Sequence, residues 1–199
     1  METLECIKVR RSIRKYEDKP VPRELLEKIL QAGIAAPSSK NRQPWRFVVA
    51  TGEAKKEAVQ AMAAGLAREK QKPFLPESAG LISGADYTLK IMQQAPALIF
   101  VTNALSLPFT EDGKKKELTT DERVAEICNA QSMGAAIENM TLAATALGLG
   151  SLWICDSFFA QEELSAWAGG ELYAVLAVGY AAEEPAARPR RQDVIDWRG

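Results

Sequence analysis

The chain has 199 residues, 47% hydrophobic and 26% charged, with a formal net charge of -1 and no histidine. That balance suits one globular domain over residues 1–199 with a buried core, and it excludes a disordered chain or a broadly basic nucleic-acid footprint. Without histidine, Ser-His-Asp hydrolysis, Cys-His nucleophiles and His-ligated zinc are all removed, so any chemistry is expected to be carried by a bound cofactor.

At the start of the chain, Thr3 can cap a short helix that carries Leu4 and Ile7 inward. The stretch Arg10-Arg11-Ser12-Ile13-Arg14 follows, flanked by Lys8 and Lys15. Arginine presents a planar fork of donors that matches phosphate oxygens, and a serine hydroxyl fills a remaining acceptor without bulk. The plainer reading of this stretch is a solvated basic turn. Pro20 and Pro22 precede a helix whose apolar positions are Leu25, Leu26, Ile29 and Leu30, ended by Gly33 and Pro37.

The next stretch, from Pro37 to Trp45, is a loop dense in groups that both donate and accept: Ser38, Ser39, Asn41 and Gln43, on a backbone restricted by Pro37 and Pro44. Such a loop suits the edge of a polar heterocycle; equally, it could be a helix-to-strand connection with Trp45 as a core anchor. A strand over 46–51 comes next, then an Ala-rich helix over 53–69, a loop over 71–84, a resumed helix over 86–94 and a strand over 97–102. Residues 103–118 form a charged excursion in which Lys114-Lys115-Lys116 reads as solvated surface.

Residues 121–147 predict a long central helix with Val124, Ile127, Ile137, Met140, Ala144 and Leu147 on a recurring face, apolar over enough of its circumference to be buried in the core or between subunits. Gly148 and Gly150 end it, a strand over 151–155 follows, then a short helix through Leu164 and Trp167 and a strand over 172–180. Strict alternation of strand and helix is missing, so the expected fold class is α+β, a mixed central sheet flanked by helices. A second cationic cluster, Arg188-Pro189-Arg190-Arg191, lies in the tail, and no Gly-rich phosphate loop occurs, so a phosphate would be held by side chains.

Cys6, Cys128 and Cys155 are odd in number and widely spaced, which fits packed, reduced thiols. Residues 1–16 lack the apolar run of a secretory signal, and the longest nearly apolar stretch, 173–182, is short of the roughly 20 residues that span a bilayer. A cytoplasmic protein with no membrane partner is expected.

In order along nearly the whole chain, Arg10-Arg11-Ser12-x-Arg14, the loop and strand Ala36-Pro37-Ser38-Ser39-x-Asn41-x-Gln43-Pro44-Trp45-x-Phe47, the helix end Ala146-Leu147-Gly148-Leu149-Gly150 and the tail Arg188-Pro189-Arg190 resemble the FMN-dependent nitroreductase family. The resemblance implies that Arg10, Ser12, Arg188 and Arg190 hold the FMN phosphate with help from Arg11. It implies that Arg14 lies at the flavin pyrimidine rim, where positive charge favours the reduced, anionic ring. Pro37, Ser38, Ser39 and Asn41 would reach a flavin held mainly by the other subunit of a homodimer. Trp153, Ile154 and Cys155 would lie along the ring with backbone N–H groups near its N5, and Cys155 would have no nucleophilic role. No asparagine occurs between Asn41 and Asn103 to make the mid-chain flavin contact of many members.

The implied activity is hydride transfer from NADH or NADPH to FMN, then reduction of a small acceptor such as a nitroaromatic or quinone by a ping-pong route. No side chain is expected to be catalytic in its own right. A specialised flavin enzyme of the same fold, such as a reductive dehalogenase or a flavin-consuming enzyme, is the alternative. A non-enzymatic phosphate- or nucleic-acid-binding module is the reading from a different class, and no base-reading motif accompanies the basic stretches.

Overall fold

The computed structural model describes residues 2–73, 75–105 and 118–199. Helices α1 (Thr3–Val9), α2 (Arg23–Ile34), α3 (Gly52–Gln71), α4 (Ile82–Gln94), α5 (Thr120–Ala146) and α6 (Gln161–Ala168) surround strands β1 (Trp45–Ala50), β2 (Ala97–Asn103), β3 (Gly150–Ile154) and β4 (Glu171–Gly179). The lysine run at 114–116 lies outside the described residues.

The strands form one sheet in the order β1-β2-β4-β3, and every ladder in it is antiparallel. The expected mixed character is confined to a single parallel bridge between Ser12 and Ser151. Side chains of a strand alternate between its two faces, so β2 and β4 must be apolar at nearly every position if both faces are covered. They are: Leu98, Phe100, Val175 and Ala177 pack with Met62 and Leu66 of α3, Met92 of α4 and Leu164 of α6. On the other face, Ile99, Val101, Leu176 and Val178 pack with Ile29 of α2 and Met133, Ile137 and Met140 of α5.

Local signals account for most boundaries. Thr119 and Glu122 make a reciprocal capping box at the start of α5, satisfying two backbone N–H groups that have no partner inside the helix. Gly169, in the left-handed region at φ 67°, closes α6, a conformation that costs a residue with a Cβ. The helix expected from residue 86 begins four residues earlier, at Ile82.

Several apolar expectations are overturned. Leu4 is 71% exposed and Ile7 51%, while Cys6 is the buried residue of α1; Glu2, making no side-chain bond, takes the N-cap place expected of Thr3. Val124 and Ile127 are also exposed, so α5 is buried from Asn129 onward rather than along its whole length. The periodicity marked an apolar face correctly, but within this chain nothing among the described residues covers its first turns.

The termini are brought together at one edge of the sheet. The Ile13 N–H donates to Ser151 O (3.0 Å), Glu17 N–H to Tyr180 O (2.9 Å) and Ala182 N–H to Lys15 O (3.0 Å). This approach needs a gap, and the cross-strand pair Gly150 and Gly179 supplies it. A Cβ at Gly150 would lie 2.7 Å from Ile13, and one at Gly179 would lie 2.5 Å from Pro96 and 2.8 Å from Tyr16. Filling a packed core in this way costs about 1–3 kcal/mol. Gly150→Ala and Gly179→Ala are each expected to lower unfolding stability by that amount in urea titrations, and an unchanged midpoint would show that residues 12–17 do not rest there.

Candidate functional site

Three short backbone contacts place the two cationic segments on opposite sides of one cleft. Arg10, Arg11, Ser12 and Arg14 line it from the N-terminal side, with Pro185, Ala186, Arg188 and Arg190 from the tail, around a volume of about 170 Å³. Residues about 175 apart in sequence, those expected to hold a phosphate, are therefore brought to one cleft by the pairing of 12–17 with the ends of β3 and β4.

The local chemistry of the cleft is unequal. Arg188 and Arg190 have no acidic partner among the described residues, whereas Arg191 beside them is paired with Asp193 at 2.8 Å. Arg11 spends one arm of its guanidinium on the carbonyls of Lys8 (2.7 Å) and Arg10 (2.8 Å), at the carbonyl-rich end of α1. Arg10 sits 3.7 Å from Glu138 of α5, and Arg14 donates to Ser12 O at 3.2 Å. Glu183 anchors the segment from below by accepting the backbone N–H groups of Arg14 and Lys15.

Tyr16 fixes the same segment to the sheet. Its hydroxyl donates within reach of Ile13 O (2.9 Å) and Ala177 O (3.3 Å), and burial, reinforced by Glu183, pushes its ionisation far above the usual phenol range. The phenol therefore remains a donor under all ordinary conditions. Ser151 Oγ, at the bridge to Ser12, is buried with no hydrogen-bond partner among the described residues. Glu138, Glu183 and Tyr16 carried no sequence signal of a role here, since each becomes relevant only through a contact with a distant segment.

The loop after α2 stands apart. Pro37, Ser38, Ser39 and Asn41 do not line the arginine cleft of their own chain. Ser38 Oγ accepts the Gln43 N–H (3.0 Å), and the Ser39 N–H donates to Ser132 Oγ of α5 (3.2 Å). The Gln43 side chain donates to Asn41 Oδ1 (3.0 Å), which occupies the amide's acceptor and leaves its N–H₂. Lys40, Asn41 and Gln43 all have positive φ, at 51°, 53° and 48°. Such a cluster of left-handed non-glycine residues is costly and persists where surroundings impose it, often at functional sites. Trp45 is buried, so the reading of that stretch as a connection with a core anchor holds.

Along β3, the three residues expected beside a ring divide between faces. Trp153 is 42% exposed and looks over Gly134 of α5, and Cys155 is exposed just past the strand. Ile154 is buried among the α3 and α4 side chains, so only its backbone is available to a ligand. Of the thiols expected to be packed, only Cys6 is buried.

The residues gathered here suit a phosphate-bearing ligand, and comparison with known proteins points the same way. A sequence model of the nitroreductase family matches residues 7–180. The chain belongs to the nitroreductase family. This nitroreductase-family chain is 30% identical to a protein named NADH dehydrogenase from Thermus thermophilus, over 95% of this chain and 92% of that one. A protein named a nitroreductase and solved in complex with FMN, from Desulfovibrio desulfuricans, is 27% identical over 96% of this chain and 93% of that chain, with a TM-score of 0.69. A BluB-like flavoprotein from Clostridium difficile is 28% identical over 98% and 96%, with a TM-score of 0.67.

Burial, followed by the charge of Asp156, raises the Cys155 pKa above the ordinary thiol value. The thiolate, which is the nucleophile, is thus scarce at neutral pH despite the exposure of the residue. Alkylation of Cys155 by iodoacetamide, followed by peptide mass spectrometry, should show a pH profile displaced to higher pH than that of glutathione. A profile displaced to lower pH would mark it as an activated thiol.

Proposed function

We propose that this chain is an NAD(P)H-dependent FMN oxidoreductase acting on small acceptors such as nitroaromatics or quinones. The observation that carries this reading is the convergence of Arg10, Arg14, Arg188 and Arg190 with Ser12 on one cleft, with Arg188 and Arg190 lacking an acidic partner among the described residues. Four like charges held this close repel one another unless an anion sits among them, and a phosphate dianion supplies acceptors for each. Family membership and the FMN-containing relative support FMN as the bearer of that phosphate.

The residues fit the rest of the cofactor. Arg14 extends from the grip on the side of Ser12 and Ser151, where an unsatisfied hydroxyl waits beside the bridge. Trp153 and Cys155 present an exposed strand end on which a flat ring can lie. When bound, FMN supplies the hydride and electron chemistry, accepting from NADH or NADPH and giving to the acceptor. The protein's part is to hold the phosphate, fix the ring's orientation and keep positive charge from Arg14 near it. No histidine, acid or thiol of this chain is required as proton carrier.

The reading includes a homodimer with the cofactor at its interface, the whole of residues 1–199 serving as one unit. Leu4, Ile7 and Val9 of α1, Val124 and Ile127 of α5, and Val194, Ile195 and Trp197 of the tail are exposed large apolar residues, more than an isolated small chain normally leaves in water. Ser38, Ser39 and Asn41 do not line their own chain's cleft, and with the Ser39 hydroxyl and the Asn41 N–H₂ not engaged among the described residues they would complete the site of a second copy. A cytoplasmic location is proposed from the free thiols Cys6, Cys128 and Cys155. None of the described helices is long and apolar enough to cross a membrane.

Hydrogen bonds to charged groups contribute about 1.5–3 kcal/mol, so Arg188→Ala or Arg190→Ala is expected to weaken FMN binding about ten- to a hundredfold. Lys28→Ala, at an exposed position of α2, should leave it unchanged. Fluorescence titration of released FMN measures this, and equal dissociation constants for parent and both arginine variants would refute the grip.

Donor and acceptor are expected to use the same site in turn. Initial rates at several fixed acceptor concentrations should therefore give parallel double-reciprocal lines, and intersecting lines would show that both are bound together.

A further inference from the structure

A second cleft, of about 520 Å³, lies between the loop after α2, the end of β2 and one face of α5. Its lining is Arg42, Asn103, Leu105, Glu122, Ala125, Glu126 and Asn129, a set in which the four α5 residues recur at spacings of three and four and so share a stripe of the helix. The size falls in the range of small-molecule sites.

Asn129 is 5% exposed, and its side-chain amide has no hydrogen-bond partner among the described residues. The buried side-chain atoms left without a partner among the described residues are Ser151 Oγ and Gln161 Oε1, so the Asn129 amide, which lines this cleft, stays open to it and to a ligand there. Two charges of opposite sign line the same cleft. Arg42 has no ion pair among the described residues, and neither has Glu126, although the two share this space. Arg42 follows directly on the left-handed residues Lys40 and Asn41 and precedes Gln43, also left-handed.

The remaining charged surroundings are also defined. Glu122 is engaged at the N-cap, accepting the Thr119 N–H at 2.8 Å, and Glu126 faces, on its other side, a shallow cleft that Arg123 lines. Asn103 Oδ1 accepts the Leu105 N–H at 2.9 Å, which fixes the floor at the end of β2. Tyr173 approaches the Asn103 side chain at 3.4 Å, and burial, with Glu171 and Glu126, pushes its phenol up to about 12, so it stays uncharged.

A cation, a carboxylate and an amide without a partner among the described residues, all lining one cleft, match a ligand with an anionic and a cationic end. A simple anion would leave Glu126 facing it, and a simple cation would leave Arg42 facing it. We propose that the cleft bounded by Arg42, Glu126 and Asn129 binds a zwitterionic small molecule of the amino-acid class. The ligand's carboxylate meets Arg42, its ammonium meets Glu126, and Asn129 donates and accepts beside them; Leu105 and Ala125 offer apolar surface to the remainder. The site adjoins the loop containing Ser39 and Asn41, but binding there does not depend on the flavin reading.

The test is isothermal titration calorimetry of the protein as purified with 4-nitrophenylalanine, compared with 3-(4-nitrophenyl)propionate and 2-(4-nitrophenyl)ethylamine, which keep one charge each. The zwitterion is expected to bind at least about tenfold more tightly than either, the lower end of what one charge-assisted hydrogen bond contributes. Arg42→Met should erase its advantage over the amine, and Glu126→Gln its advantage over the propionate. Because Arg42 is exposed and Glu126 only half-buried, neither change opens the core. Equal affinities for all three compounds, no binding of the zwitterion, or an advantage that survives both substitutions would each overturn the proposal.

Discussion

The arginine cleft depends on a backbone contact rather than on any charged pair. Residues 12–17 dock on the ends of β3 and β4 through three main-chain hydrogen bonds, over a floor where Gly150 and Gly179 face each other without side chains. Tyr16 seals the contact from inside, and Glu183 ties Arg14 and Lys15 to the chain leaving β4. These groups form a base whose backbone donors are paired. The cations stand above it with their own donors largely unspent, which is what a site for an anion requires. Any ligand that bridges the two segments must add its binding free energy to the stability of this closure, because the unfolded chain has no such arrangement.

Helix α5 is the second organising element. Its buried face carries Met133, Ile137 and Met140 into the core, while other residues reach out to three separate features. Glu138 approaches Arg10, Ser132 receives the Ser39 N–H, and Asn129 faces the zwitterion cleft. At 1.5 Å rise per residue these positions span about 14 Å along the axis. A rigid helix thus sets the spacing between the arginine cleft, the polar loop and the second cleft, and a shift of α5 would be felt at all of them.

Much of the fold was legible before the structure. The apolar runs of β2 and β4, the faces of α2 and α3, and the Gly-rich end of α5 place elements within a few residues of where they lie. The basic stretch and the polar loop were also identifiable from residue types alone. Expectations went astray where a local pattern had to be given a partner. Leu4, Ile7, Val124 and Ile127 have the spacing of buried residues, yet periodicity states which face is apolar and nothing about what covers it. Ile154 and Trp153 are neighbours with equally apolar character, and only the pleat of β3 sends one inward and leaves the other exposed.

The sequence by itself determined the inventory: a core large enough for one domain, chemistry without histidine, two arginine clusters suited to phosphate, and a loop rich in donors and acceptors. Those follow from side-chain chemistry and short-range geometry, which need no knowledge of distant residues. Tertiary structure alone decided that the two arginine clusters share one cleft and that Glu126 and Asn129 of α5 share another with Arg42. Each of these is a relation between segments separated by tens to hundreds of residues. It is created by strand register, by the missing side chains at Gly150 and Gly179 and by the placement of α5 against the sheet, and no local periodicity encodes it.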